Sequence, residues 1–139
     1  MRFIAIYIHT KADKMQHESI PDNAPHLLLV EDTPTALLIL EYFVTQAGCH
    51  VTCCTNGETA FQLATTQPFD LIITDLGLPK CSGMAFSTLL RVFETDHQKP
   101  PIPIIGLTVN TDQKTRTEGL LSGMSEVLTK PMMPSTLAR

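Results

Sequence analysis

From His26 onward, short apolar runs alternate with stretches patterned at helical spacing, and four of the five runs end on polar groups. Continuous apolar runs are how strands buried on both faces of a parallel sheet read, and their alternation with helices marks an α/β domain. Leu27 to Val30 reads as the first strand, with Glu31 and Asp32 at its carboxyl end. Thr33 and Pro34 open a helix, since proline's missing N–H has no partner in a first turn. Ala36, Leu40, Phe43, Val44 and Ala47 give that helix one apolar face, and Gly48 stops it. Val51 to Thr55 reads as a second strand, Gly57 to Thr66 as a second helix, and Leu71 to Thr74 as a third strand delivering Asp75. After a loop with Pro79 and Gly83, the residues Phe86, Leu89, Leu90 and Phe93 mark a third helix. Ile102 to Leu107 is a fourth strand delivering Thr108, the polar stretch Thr111 to Ser122 a helix despite Gly119, and Val127–Leu128 a fifth strand ending at Lys130 and Pro131.

The ends differ. Residues 1–9 alternate apolar and other side chains as a strand does, residues 10–25 read as a linker, and residues 26–139 as one domain. At 139 residues the chain has room for a single core. The segment from Pro134 to Arg139 begins like a fifth helix but holds six residues, fewer than the ~12–15 an isolated helix needs. The natural polypeptide is therefore expected to continue beyond both ends.

With a net charge of −4, the chain lacks the basic surface that nucleic acid requires. The apolar run Phe3 to Ile8 falls far short of the ~20 residues that span a bilayer, so a cytoplasmic location is expected. Cys49, Cys53, Cys54 and Cys81 contain no CxxC pair. On a strand the first three alternate faces and do not converge on a metal, so free thiols are expected.

In an open parallel sheet, ligands bind beyond the carboxyl ends of the strands, where the strand order reverses. Glu31, Asp32, Asp75, Thr108 and Lys130 all fall there. Three carboxylates in one cleft repel and call for a cation. Hard oxygen ligands with room for water and phosphate oxygens suit Mg²⁺. Lys130 and Thr108 add a charge and a hydroxyl that can reach phosphoryl oxygens. Taken singly, each residue has an ordinary alternative: a helix cap for the acidic pair or Thr108, a turn for Asp75, a solvated charge for Lys130. His26 and His50 carry only the structural reading.

The segments LLLVEDTP, LIITDLGLP with Gly83 following, PIIGLTVN and VLTKP resemble, in order and spacing, the signature blocks of two-component receiver domains. The resemblance covers His26 to Pro131. It implies a flavodoxin-like, doubly wound five-stranded parallel sheet in order 2-1-3-4-5, here with its fifth helix truncated. It implies phosphorylation of Asp75 from a phosphohistidine, on a kinase dimerisation domain or a histidine phosphotransfer domain. It implies Mg²⁺ bound by Asp32, Asp75 and the Gly77 backbone carbonyl, with Glu31 acting through water. Thr108 and Lys130 would contact the phosphoryl group, and Lys130–Pro131 would be a cis peptide.

Two departures stand out. Many receivers carry an aromatic residue where Val127 stands, so a ring-rotation relay is in doubt. Many carry alanine where Val109 stands, and the bulkier side chain would narrow access to Asp75. Asn110, two residues after Thr108, offers an amide that could orient water. Arg2 to His9 resembles the last strand of a histidine kinase ATP-binding domain, and Gly123 to Leu137 resembles hybrid-kinase receivers, so a hybrid sensor kinase is the expected parent, one that could be membrane-anchored. A single-domain regulator, a non-phosphorylated docking module and a second copy of the chain as partner remain open. A flavodoxin-like cofactor binder or a phosphatase is disfavoured, since no Gly/Ser/Thr-rich phosphate loop follows the first strand and no second aspartate follows Asp75-Leu76-Gly77.

Overall fold

The computed structural model describes residues 20–130. The expected strand at residues 1–9, most of the linker, the Lys130–Pro131 peptide and the start of a fifth helix lie outside these residues. Five strands, β1 (His26–Val30), β2 (His50–Cys54), β3 (Leu71–Asp75), β4 (Ile104–Thr108) and β5 (Glu126–Thr129), alternate with α1 (Pro34–Gln46), α2 (Gly57–Thr66), α3 (Gly83–Asp96) and α4 (Gln113–Leu121). All pairings are parallel, in the order β2-β1-β3-β4-β5. This is the doubly wound order that the family resemblance implies.

Alternation along the strands divides the core into two layers. Leu27, Leu29, Leu71, Ile73, Ile105, Leu107 and Leu128 face α1, which contributes Leu40 and Val44. Leu28, Val30, Ile72, Ile104 and Val127 face the other way, onto Ala60 and Ala64 of α2 and Phe86 and Leu90 of α3. Cys53 joins the first layer and Cys54 the second, as strand alternation requires. All four cysteines are free thiols, and burial pushes Cys49, Cys53 and Cys54 up to about 11.

The helix boundaries have local causes. Pro34 sits in the first turn of α1, and Gly48 takes the left-handed conformation (φ 89°) that ends it. Asn56, Ser82 and Asp112 cap α2, α3 and α4, each accepting a bond from the N–H three residues on (2.8, 3.1 and 2.8 Å). Gly119 has a purpose in α4: a Cβ there would lie 2.6 Å from Val127 Cγ2, so its absence lets the helix close onto β5.

Two expectations are corrected. Strand β4 begins at Ile104 rather than Ile102, because the Ile102 N–H donates to the buried Glu94 carboxylate (2.8 Å) and Pro103 has no N–H to give. Leu89 is not on the buried face of α3; it is 49% exposed, on the flank of the stripe made by Phe86, Leu90 and Phe93.

Candidate functional site

Because β1 is paired with β2 on one side and β3 on the other, the chain winds in opposite directions from it, and a cleft opens at the carboxyl ends of β1 and β3. Register aligns Val30 with Thr74 and Asp75 with Leu107, so Glu31, Asp32 and Asp75 come to the same edge, with Thr108 one residue beyond. Each of these three carboxylates offers an oxygen within 4.8 Å of the others. Their exposures grade from buried Glu31 through half-buried Asp75 to exposed Asp32.

Lys130 closes the cluster. Its backbone N–H donates to the Thr108 carbonyl (2.8 Å), which seats the end of β5 beside β4. Its ammonium donates to Glu31 Oε2 at 2.6 Å and lies 3.3 Å from Asp75 Oδ2. Burial opposes the ammonium charge, but the bond to Glu31 and the charges of Asp75 and Glu31 outweigh it, so the Lys130 pKa is raised. Three carboxylates against one ammonium leave a formal charge of −2. An oxygen-only, open-sided, anionic site of that charge fits a divalent hard cation that keeps part of its water.

The loop after Asp75 is held by backbone contacts that sequence reasoning did not single out. A Cβ on Gly83 would lie 2.1 Å from the Asp75 carbonyl oxygen, and one on Gly57 the same distance from that of Cys81. Gly83 N–H donates to the Leu76 carbonyl (2.9 Å) and Gly57 N–H to that of Cys81 (3.1 Å), clamping both ends of the loop. Near its start lies Gly77, whose N–H is 3.4 Å from Asp75 Oδ1 and where a Cβ would meet nothing within 4 Å.

The remaining candidates lie around β4 and β5. Thr108 Oγ1 accepts from the Asn110 N–H (3.0 Å), and Asn110 Oδ1 accepts from the Asp112 N–H (2.9 Å). The Asn110 amide oxygen is thus committed locally. Val127 is buried against Gly119, whereas Val109 is 79% exposed. His26 and His50 sit at the opposite end of the sheet, bonded to Thr52 Oγ1 and the Pro21 carbonyl (both 2.7 Å).

The family model for the response regulator receiver domain matches residues 27–139. The chain belongs to this family. The receiver is 31% identical over 129 residues to the sensor histidine kinase GacS of Pseudomonas protegens, covering 93% of this chain and 14% of that protein. It is 34% identical to the sensor protein EvgS of Escherichia coli K12, over 76% of this chain and 8% of that one. The receiver therefore spans a small fraction of these relatives' lengths. Among solved structures, it resembles the receiver domain of the sensor histidine kinase PA1611 from Pseudomonas aeruginosa PAO1, which has a magnesium ion coordinated in its active-site cleft (33% identity, TM-score 0.73, covering 81% and 90% of the two chains). It also resembles a Saccharomyces cerevisiae structure in which the phosphotransfer protein Ypd1 is crystallised with the receiver of Ssk1 (28% identity, TM-score 0.78, covering 87% of each). No described helix is long and apolar enough to cross a membrane.

Proposed function

We propose that this receiver accepts a phosphoryl group on Asp75 from a phosphohistidine. The observation that carries this reading is the meeting of Glu31, Asp32 and Asp75 within 4.8 Å, with the Lys130 ammonium 3.3 Å from Asp75 Oδ2. Asp32, Asp75 and the Gly77 carbonyl would hold Mg²⁺ directly, and Glu31 would hold it through water. When bound, that ion supplies charge neutralisation for the carboxylates and the incoming phosphoryl oxygens.

An Asp75 oxygen forms the new P–O bond as the N–P bond of the phosphoimidazole breaks, and the electron pair leaves with the imidazole. An anionic carboxylate needs no general base, so the residues' contribution is positioning and charge. Lys130, already oriented by Glu31, pairs with one phosphoryl oxygen, and the Thr108 hydroxyl donates to another.

The donor is a kinase dimerisation domain or a histidine phosphotransfer domain, and the parent protein is a cytoplasmically facing hybrid sensor kinase with residues 26–139 as its receiver. Similarity to GacS and PA1611, both sensor histidine kinases by name, and to the sensor protein EvgS supports that setting. The test is incubation with acetyl phosphate, with and without Mg²⁺. Acid-labile phosphate should appear on the natural chain only with the metal, and not on Asp75→Asn. Equal labelling in EDTA, or persistence in Asp75→Asn, overturns the assignment.

A further inference from the structure

The first turn of α2 touches the loop that follows Asp75. Gly57, the first residue of α2, is buried, and its N–H donates to the Cys81 carbonyl (3.1 Å). A Cβ at Gly57 would lie 2.1 Å from that oxygen and 3.0 Å from Cys81 Cβ, so only a residue without a side chain lets helix and loop approach this closely. Gly57 belongs neither to the acidic cluster nor to the loop. We propose that Gly57 is a positioning residue for cation binding, its bare backbone seating Cys81 so that the loop presents the Gly77 carbonyl to the same ion as Asp32 and Asp75.

The two sides of Gly77 differ in firmness. Upstream, Leu76 is buried, its N–H donates to the Leu107 carbonyl (3.0 Å), and its own carbonyl accepts from the Gly83 N–H (2.9 Å). Downstream, Pro79 and Lys80 are exposed, and Lys80 takes a φ of 65°, a region that side chains other than glycine's rarely favour. The chain then folds back where the Cys81 N–H donates to the Pro79 carbonyl (2.7 Å). Leu78 packs half-buried against the core, and Gly57 supplies the hydrogen-bonded stop beyond it.

Helix α2 is a firm support for that stop. Ala60 and Ala64 are buried against the sheet, and Asn56 Oδ1 accepts from the Thr59 N–H (2.8 Å). Just before the helix, the Cys54 carbonyl accepts from the Glu31 N–H (3.1 Å). One short stretch, Cys54 to Gly57, thus holds both an acid of the cluster and the far end of the metal loop. A methyl group added at Gly57 would displace the softer side, the loop. Mg²⁺ demands near-octahedral geometry at about 2.0–2.1 Å, whereas Ca²⁺ accepts variable geometry at about 2.3–2.6 Å. A misplaced Gly77 carbonyl therefore falls hardest on Mg²⁺.

This inference rests on the reading that Asp32, Asp75 and the Gly77 carbonyl hold the metal, and the test separates the two. Backbone amide NMR spectra of the full chain are titrated with magnesium chloride and, separately, calcium chloride, for the natural sequence, Gly57→Ala and Asn56→Ala. The last variant removes the cap of α2 without adding an atom against Cys81. The Mg²⁺ dissociation constant should rise about tenfold in Gly57→Ala, and that for Ca²⁺ should rise less. Both should stay within about twofold of the natural values in Asn56→Ala, although its melting temperature falls. Coupling of this kind is reciprocal, so in the natural chain saturating Mg²⁺ should slow amide hydrogen exchange at Gly57 and Gly83 by a larger factor than at Thr59, whether or not a variant folds. An Mg²⁺ constant in Gly57→Ala within about twofold of the natural one, a loss matched by Asn56→Ala or by Ca²⁺, or equal slowing at Gly57, Gly83 and Thr59 overturns the positioning role alone. Failure of Mg²⁺ to shift Asp32, Asp75 and Gly77 in the natural chain overturns the metal reading and the positioning role together.

Discussion

Lys130 and Glu31, 99 residues apart in the chain, meet at 2.6 Å at the carboxyl ends of β5 and β1. Glu31 is 2% exposed, so the ammonium is the principal compensation for a carboxylate that water hardly reaches. Lys130→Met keeps most of the stem and removes the charge. It should destabilise the domain by about 2–3 kcal/mol, below the largest buried-pair penalties because Lys130 retains some solvent. Added Mg²⁺ should recover part of the loss. Urea titrations with and without Mg²⁺ measure both effects, and an unchanged midpoint would contradict the account.

Gly77 is placed to control phosphate lifetime. A Cβ there would meet nothing within 4 Å, and Gly77 is not among the positive-φ glycines, so Gly77→Asn should fold normally. Its amide would stand two residues from Asp75, where it can orient attacking water, whereas the Asn110 amide oxygen already accepts from the Asp112 N–H. Hydrolysis of the aspartyl phosphate should accelerate by roughly threefold or more. The decay of labelled protein reads this directly; an equal or slower rate rejects it.

Gly119→Ala sets helix propensity against packing. Alanine should gain up to about 1 kcal/mol in a helix, yet its Cβ would lie 2.6 Å from Val127 Cγ2. Overpacking of this kind costs about 1–3 kcal/mol, so net destabilisation is expected. In the background of Val127→Ala the same change should become neutral or stabilising. Additive effects in this double-mutant cycle would show that the contact is not coupled.

Acid should weaken the opposite end of the sheet. Burial, and then the neighbouring His50, lower the His26 pKa from 6.5, against an opposing pull from Asp70. The unfolded chain therefore binds the proton more readily. The stability contributed by neutral His26 is present above 6.5 and is lost as pH falls through the lower folded value. Denaturation midpoints should drop as pH falls below 6.5, and His26→Gln, which keeps a polar group near Thr52, should reduce that slope. The same slope in the variant would remove His26 as its source.

Strand positions and the polar residues ending them were legible in the sequence because a parallel strand is mostly apolar over its buried length. Glu31 after Val30, Asp75 after the buried Thr74 and Thr108 after Leu107 therefore mark the sheet's edge. Local rules also located α2 at Gly57–Thr66, where Asn56 supplies the cap. What depended on residues distant in the chain was not legible. Nothing near Ile102 in sequence indicates that Glu94 takes its N–H, and nothing near Gly57 indicates that the Cys81 carbonyl lies against it. Likewise, Glu31 and Lys130 could be named as site residues, but the 2.6 Å bond that makes Lys130 the counterion of a buried acid depends on β1, β3, β4 and β5 lying in register. Apolar patterning and capping act within a few residues, so the sequence alone determined which segments become strands and helices and which side chains crown them. Close approach of backbones, diversion of a donor and the pairing of charges arise only when the layers pack, and these the tertiary structure decided.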